Sequence, residues 1–143
     1  MGFRFIAEGP NDKIELGMEN LTDVNYRSET PNDSNARATD VGSMIDVEGK
    51  ILASTEGEEA DETKKLAEWS LVSAEKVDAY RDVTIEVISA DQVVRKLNFP
   101  QAFIVDYTED YGADEGVGKF DLVLKQKKDK NDLVEIEGGY AAG

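Results

Sequence analysis

The run Ala79-Tyr-Arg-Asp-Val-Thr-Ile-Glu-Val-Ile-Ser-Ala-Asp-Gln-Val-Val-Arg-Lys-Leu-Asn-Phe-Pro-Gln-Ala-Phe-Ile-Val-Asp-Tyr107 decides the fold. Val83, Ile85 and Val87 stand two apart with Thr84 and Glu86 between them, the period of a strand with one buried face. Ser89-Ala-Asp-Gln92 is short and polar, so the flanking runs are expected to form a hairpin. Pro100 lacks an amide donor and is expected to interrupt the second strand at an edge or a bulge, with the strand resuming over Ala102–Tyr107. After an acidic loop over Asp106–Glu115, the segment Gly118-Lys-Phe-Asp-Leu-Val-Leu124 returns to strand, with Phe120, Leu122 and Leu124 on one face.

Working outward, Phe3, Phe5 and Ala7 alternate with Arg4, Ile6 and Glu8 as a first strand. Gly9-Pro-Asn-Asp12 then turns the chain. A short return strand is expected over Lys13–Met18, a further strand over Glu19–Arg27 and another over Val41–Leu52, where Ile45 and Val47 mark the apolar face. Ser28–Asp40, by contrast, has no apolar side chain larger than alanine and reads as a long polar loop projecting from the domain. Ala53–Glu62 is an acidic linker with little to bury. The helix expected over Glu62–Leu71 places Leu66, Trp69 and Ser70 on one face, with Asp61 or Thr63 as cap. Leu66 and Trp69 are its core anchors, and Leu71 is expected to pack beside them. Lys125–Asn131 is a charged turn and Leu133–Ile136 a short last strand. The sum is a mainly β chain, a single domain over 1–143: a small antiparallel β-barrel or sandwich of about eight strands with one flanking α-helix.

Composition excludes several classes of function. The chain has 143 residues, 40% of them apolar, enough for one core. Its formal charge of −15, from 31 acidic and 16 basic residues, argues against nucleic acid and anionic membranes as partners. With no cysteine and no histidine, disulfides, thiolate metal sites and every Ser-His or Cys-His arrangement are absent. No apolar run approaches the ~20 residues of a membrane helix. The N-terminus, Met1–Glu8, has no signal-peptide core, so any export is expected to proceed without a leader.

Candidate chemistry motifs fail on spacing. Read as a calcium loop from Asp106, the acidic segment places Tyr111 where glycine is needed and Val117 where glutamate is needed; from Asp110 it places Glu115 and Asp121 there. An irregular cation site at 106–115 stays open. Gly112–Lys119 is one residue too long for a phosphate loop, and Phe120 stands where Ser or Thr should be. Ser73-Ala-Glu-Lys76 matches a nucleophile-and-base pattern but lacks its companion motifs. No pair of carboxylates is singled out for hydrolysis, so no catalytic residue and no cofactor are assigned. Lys125, Lys127, Lys128 and Lys130 form a basic patch broken by Asp129, read as a solvated turn.

Three segments in order carry a resemblance. They are Asp33-Ser-Asn-Ala-Arg-Ala-Thr-Asp-Val-Gly-Ser-Met-Ile-Asp-Val47, Leu66-Ala-Glu-Trp-Ser-Leu71, and Val94-Arg-Lys-Leu-Asn-Phe-Pro-Gln-Ala-Phe-Ile-Val-Asp-Tyr-Thr-Glu109 closed by Phe120-Asp-Leu-Val-Leu124. Together they resemble the haemolysin-coregulated protein (Hcp) family, the tube subunits of type VI secretion systems, and the phage-like tube proteins of contractile injection systems. The resemblance implies a small β-barrel whose subunits form hexameric rings that stack into a hollow tube with room for effector cargo. It implies sheath and baseplate or spike proteins as partners, assembly in the cytoplasm, and export as part of the injected tube. It also implies that the loop at 28–40 reaches the adjacent ring, which makes Pro31, Asn32, Asp33, Ser34, Asn35, Arg37 and Asp40 the expected interface residues. Glu56–Glu62 and Asp106–Glu115 fall outside the resemblance. Like-charged rings repel, and Arg27, Arg37 and Lys50 are the candidates to offset that.

A second reading is a monomeric β-sandwich module binding a small ligand or carbohydrate through Tyr80, Phe103, Tyr107 and Tyr111. It predicts that these aromatics gather on one platform.

Overall fold

The computed structural model describes residues 1–29, 42–51, 62–73, 75–113, 116–127 and 133–142. In chain order these form β1 (Gly2–Glu8), β2 (Lys13–Leu16), β3 (Leu21–Glu29), β4 (Gly42–Ile51), the helix α1 (Glu62–Ser70), a 3-10 turn (Val77–Ala79), β5 (Arg81–Ser89), β6 (Gln92–Asp110), β7 (Gly118–Gln126), β8 (Glu135–Glu137) and β9 (Tyr140–Ala141). All pairings are antiparallel. One sheet runs β2-β1-β5-β6-β7-β4-β3, with β8 and β9 also on β6. The mainly β expectation holds, with one α-helix among the described residues. The sheet is open rather than a closed barrel, because among the described residues no ladder joins its end strands β2 and β3.

β6 makes this sheet fold over on itself. It is 19 residues long. Its first half pairs with β5 and its second half with β7, and Ala102 is shared, facing Arg81 on one side and Gln126 on the other. Bulges lie on both ladders, between the Arg81 and Val83 pairs and between Ile104 and Asp106. A bulge bends and overtwists its strand, so the β1–β2–β5 and β3–β4–β7 halves turn their apolar faces toward one core. Phe5, Ala7, Ile14, Leu16, Ile45, Val47, Val83, Ile85, Phe99, Leu122 and Leu124 make up much of that core.

Pro100 lies in the first bulge, as its missing amide requires, but it does not interrupt the strand. Val83 faces Phe99 and Arg81 faces Ala102, so no ladder bond is asked of the proline. The expected alternation also slips at Val87. Beside a second irregularity on the β5–β6 ladder, between the Val87 and Ile88 pairs, Val87 is only half-buried, while Ile88 is buried outside the main core cluster. The acidic loop expected from Asp106 is a correction too: Asp106–Asp110 continue β6, opposite Val123 to Lys119 of β7. A cross-strand partner holds these residues extended where composition alone suggested a loop. The last strand is displaced to Glu135–Glu137, and β9 was not expected at all.

In α1 the buried positions are Thr63, Leu66 and Trp69, three apart. Leu71 lies just past the helix end and is 86% exposed, which overturns its expected packing. Ser70 is half-buried, and its hydroxyl donates to the Ala67 carbonyl. Thr63 is inside the helix rather than capping it, and Asp61 lies outside the described residues.

The β5–β6 hairpin forms as expected, through Ala90 and Asp91 at φ of 52° and 61°. Two positive φ values in a two-residue loop define a turn that favours Asn-Gly. An alanine in the left-handed region costs roughly 1–2 kcal/mol. The double substitution Ala90→Asn, Asp91→Gly is therefore expected to stabilise the fold by about 1 kcal/mol. A thermal melt checks this, and an unchanged or lower midpoint would contradict it.

Candidate assembly surface

The helix is tied to the sheet by an aromatic and a cation. Trp69 is 2% exposed, and its Nε1 donates to the Ala79 carbonyl at 3.0 Å. The Arg81 guanidinium sits 5.2 Å from the centroid of the Trp69 ring, and its Nη2 lies 2.9 Å from Asp12 Oδ1. One buried arginine thus joins α1, the β1–β2 turn and the start of β5. The helix also covers the outer edge of β2. Glu62 Oε2 accepts from the Glu15 amide at 3.1 Å, and Lys65 Nζ donates to the Lys13 carbonyl at 3.2 Å. Lys13 and Glu15 lie 2.7 Å apart, a hydrogen-bonded pair that raises the lysine pKa and lowers that of the carboxyl. An edge dressed this way is a poor template for another strand.

A different edge is left open. β5 begins at Arg81, opposite Ala102, so beyond that point β6 has no strand on its β5 side among the described residues. Phe103–Asp110 present that edge, with Val105 at 48% exposure within it. An unpaired, partly apolar edge of this length is a surface on which another chain can add.

The interface residues expected from the sequence, Pro31, Asn32, Asp33, Ser34, Asn35, Arg37 and Asp40, lie outside the described residues. The strands flanking them are described to their ends: Glu29 pairs with Gly42, so the connection leaves from one end of the β3–β4 hairpin. Of the cations expected to offset repulsion, Arg27 donates to Met44 Sδ at 3.3 Å, Lys50 is exposed and Arg37 is outside the described residues. Leu66 and Trp69 are both buried in the core cluster.

The four aromatics of the ligand-platform reading separate into two places. Tyr80 meets Phe103 edge-on at 5.9 Å, with Lys127 Nζ 5.3 Å from the Tyr80 ring. Tyr107 stacks on Phe120 at 6.4 Å, and the Tyr107 and Tyr111 hydroxyls both donate to the Glu109 carboxylate. The two places are separated along β6 by the length of chain from Phe103 to Tyr107. Within 106–113, strand alternation and these tyrosine bonds disperse the carboxylates, while Asp114 and Glu115 lie outside the described residues.

Carboxylates do gather elsewhere. Oxygens of Asp46, Glu48 and Asp121 come within 4.8 Å of one another on the outward face of β4 and β7. A hydrogen bond with Asp121, then burial, then repulsion from Asp121, Glu48 and Asp23 raise the Asp46 carboxyl to about 7. Acidic groupings of this kind are common without an ion, and this one defines no metal centre. Its sequence signal is half-legible: Asp46 and Glu48 flank Val47, and Asp121 separates Phe120 from Leu122, so all three point outward. That β4 lies beside β7 is not written locally.

No protein-family model matches the chain, and no curated protein matches it. Solved structures do. Hcp1 from Flavobacterium johnsoniae superimposes over 97% of both chains at a TM-score of 0.57 and 18% identity. A chain of the anti-feeding prophage baseplate, solved with six-fold symmetrisation, matches 95% of this chain and 92% of its own, at a TM-score of 0.54 and 12% identity. At these identities the likeness establishes the fold: the chain has an Hcp-like fold, as the three sequence segments led one to expect.

Proposed function

We propose that this chain is a structural subunit of the inner tube of a contractile injection system, with no catalytic role. The observation that carries this reading is the end-to-end match of its fold to Hcp1. The open edge of β6 at 103–110 supports it, since adjacent copies in a ring would supply the missing strand partner. In this reading the chain forms hexameric rings that stack, and the connection at 28–40 reaches the next ring through Pro31–Asp40. Its partners are copies of itself, then sheath and baseplate or spike proteins, with effector cargo in the lumen. The chain is made in the cytoplasm and leaves as part of the tube.

The test is the assembly state. Sizing and electron micrographs are expected to give ring-sized particles, and tubes at high concentration. Deleting Pro31–Ala36 is expected to abolish stacking while leaving far-ultraviolet circular dichroism unchanged. A strictly monomeric chain at all concentrations and salts would rule this reading out, and loss of structure on the deletion would make the segment part of the fold instead.

A further inference from the structure

We propose that Asp46 and Asp121 form a proton-operated latch across the β4–β7 ladder, closed by one shared proton and opened when that proton leaves. The latch belongs to the fold of the single chain and does not rest on tube assembly.

The geometry makes the case. Asp46 faces Val123 and Glu48 faces Asp121, so Asp46 and Asp121 are diagonal neighbours on the outward face. Their carboxylates approach within 4.8 Å, together with that of Glu48. Both residues are only half-buried, yet Asp46 Oδ1 and Asp121 Oδ1 are shut off from solvent and, among the described residues, have no hydrogen-bond partner beyond the bond that a proton shared between the two carboxyls makes. An ionised carboxylate has only lone pairs to offer, so two of them cannot satisfy each other. One proton converts one carboxyl into a donor and relieves both oxygens together.

The surroundings favour the proton. On this face β3 contributes Asp23 and Arg27, β4 contributes Glu48 and Lys50, β7 contributes Lys119 and Lys125, and β6 contributes Asp106 and Asp110. The cations stand in the outer rows. Arg27 and Lys125 are level with Met44, while Lys50 and Lys119 face one another beyond Glu48. The two central rows hold Asp23, Asp46, Glu48, Asp106 and Asp121 and no cation.

The direction with pH follows. The folded chain holds the Asp46 proton up to about pH 7, far above the ordinary carboxyl value of 3.8. A proton bound more tightly by the folded state stabilises it at low pH, and that contribution is lost as pH rises from about 4 to about 7. Lowering pH from 8 to 6 is therefore expected to raise the folding equilibrium constant about tenfold through this pair.

The test compares the full chain with Asp46→Asn, Asp121→Asn and Glu48→Gln at one fixed chain concentration, so that any self-association is common to all. Urea midpoints at pH 8 and pH 6 are expected to rise on acidification for the natural chain and to lose about tenfold of that gain in Asp46→Asn. That variant is also expected to be the more stable of the two at pH 8. Carbon-13 spectra of aspartate-labelled chain are expected to show one carboxyl titrating near neutrality, absent in Asp121→Asn and retained in Glu48→Gln. Titration of every aspartate below pH 5, or an identical pH dependence in Asp46→Asn, would overturn the latch. Loss of the neutral titration in Glu48→Gln would show that repulsion from Glu48, rather than the pairing with Asp121, holds the proton, and would overturn the latch.

Discussion

Trp69→Ala is expected to cost about 3–5 kcal/mol of folding free energy, the range for deleting a buried tryptophan. Three losses coincide. The indole, 2% exposed, leaves a cavity between α1 and the sheet. The Ala79 carbonyl loses the Nε1 donor now 3.0 Å away. The Arg81 guanidinium loses the ring it covers while remaining largely buried, with Nε already lacking a partner. Global stability of a domain is only about 5–15 kcal/mol, so this one change consumes a large share of it. Trp69→Phe keeps most of the apolar volume and removes the donor, for a smaller cost of about 1–3 kcal/mol. Because the chain has one tryptophan, urea unfolding is best followed by circular dichroism rather than fluorescence. A loss below about 1 kcal/mol in Trp69→Ala would mean that the helix is held to the sheet by other contacts.

Gly49→Ala is expected to destabilise by about 1–3 kcal/mol or more, the cost of overpacking a closed site. A Cβ at Gly49 would stand 2.6 Å from the Asn20 carbonyl oxygen and 2.6 Å from Phe120 Cε2 and Cζ. Neither neighbour is free to retreat. The Asn20 carbonyl accepts from the Lys50 amide at 2.6 Å, and the Asn20 side chain donates back to the Lys50 carbonyl at 3.2 Å. Phe120 is 3% exposed and stacked on Tyr107. The matched control is Gly116→Ala, where nothing among the described residues lies within 4 Å of the added carbon. Equal melting temperatures for the two variants would show that the approach at Gly49 relaxes at no cost.

The alternation at Phe5/Ala7, Ile45/Val47, Val83/Ile85 and Phe120/Leu122/Leu124 was legible because each segment keeps its period while one face is buried. It failed where the period itself changes, at the Val87/Ile88 irregularity and at Pro100, since a bulge depends on the partner strand as well as on its own residues. The acidic end of β6 was unreadable for a related reason. Asp106, Glu109 and Asp110 carry low strand propensity, and pairing with Lys119 to Val123 overrides it. For the candidate surface, the sequence pointed to 28–40 through its lack of apolar residues. It was silent on the open edge at 103–110, because an edge is a missing partner.

Sequence alone therefore determined the helix, most of the strands and most of their buried faces, and the exclusion of disulfide, thiolate and histidine chemistry. These depend on residue type and local spacing, and local spacing is what a chain encodes directly. Tertiary structure decided which strands are neighbours. Only when β4 lies beside β7 do Asp46 and Asp121 meet, and only when β5 stops at Arg81 does β6 acquire an open edge. Both follow from contacts between residues far apart in the chain, and no local period records those.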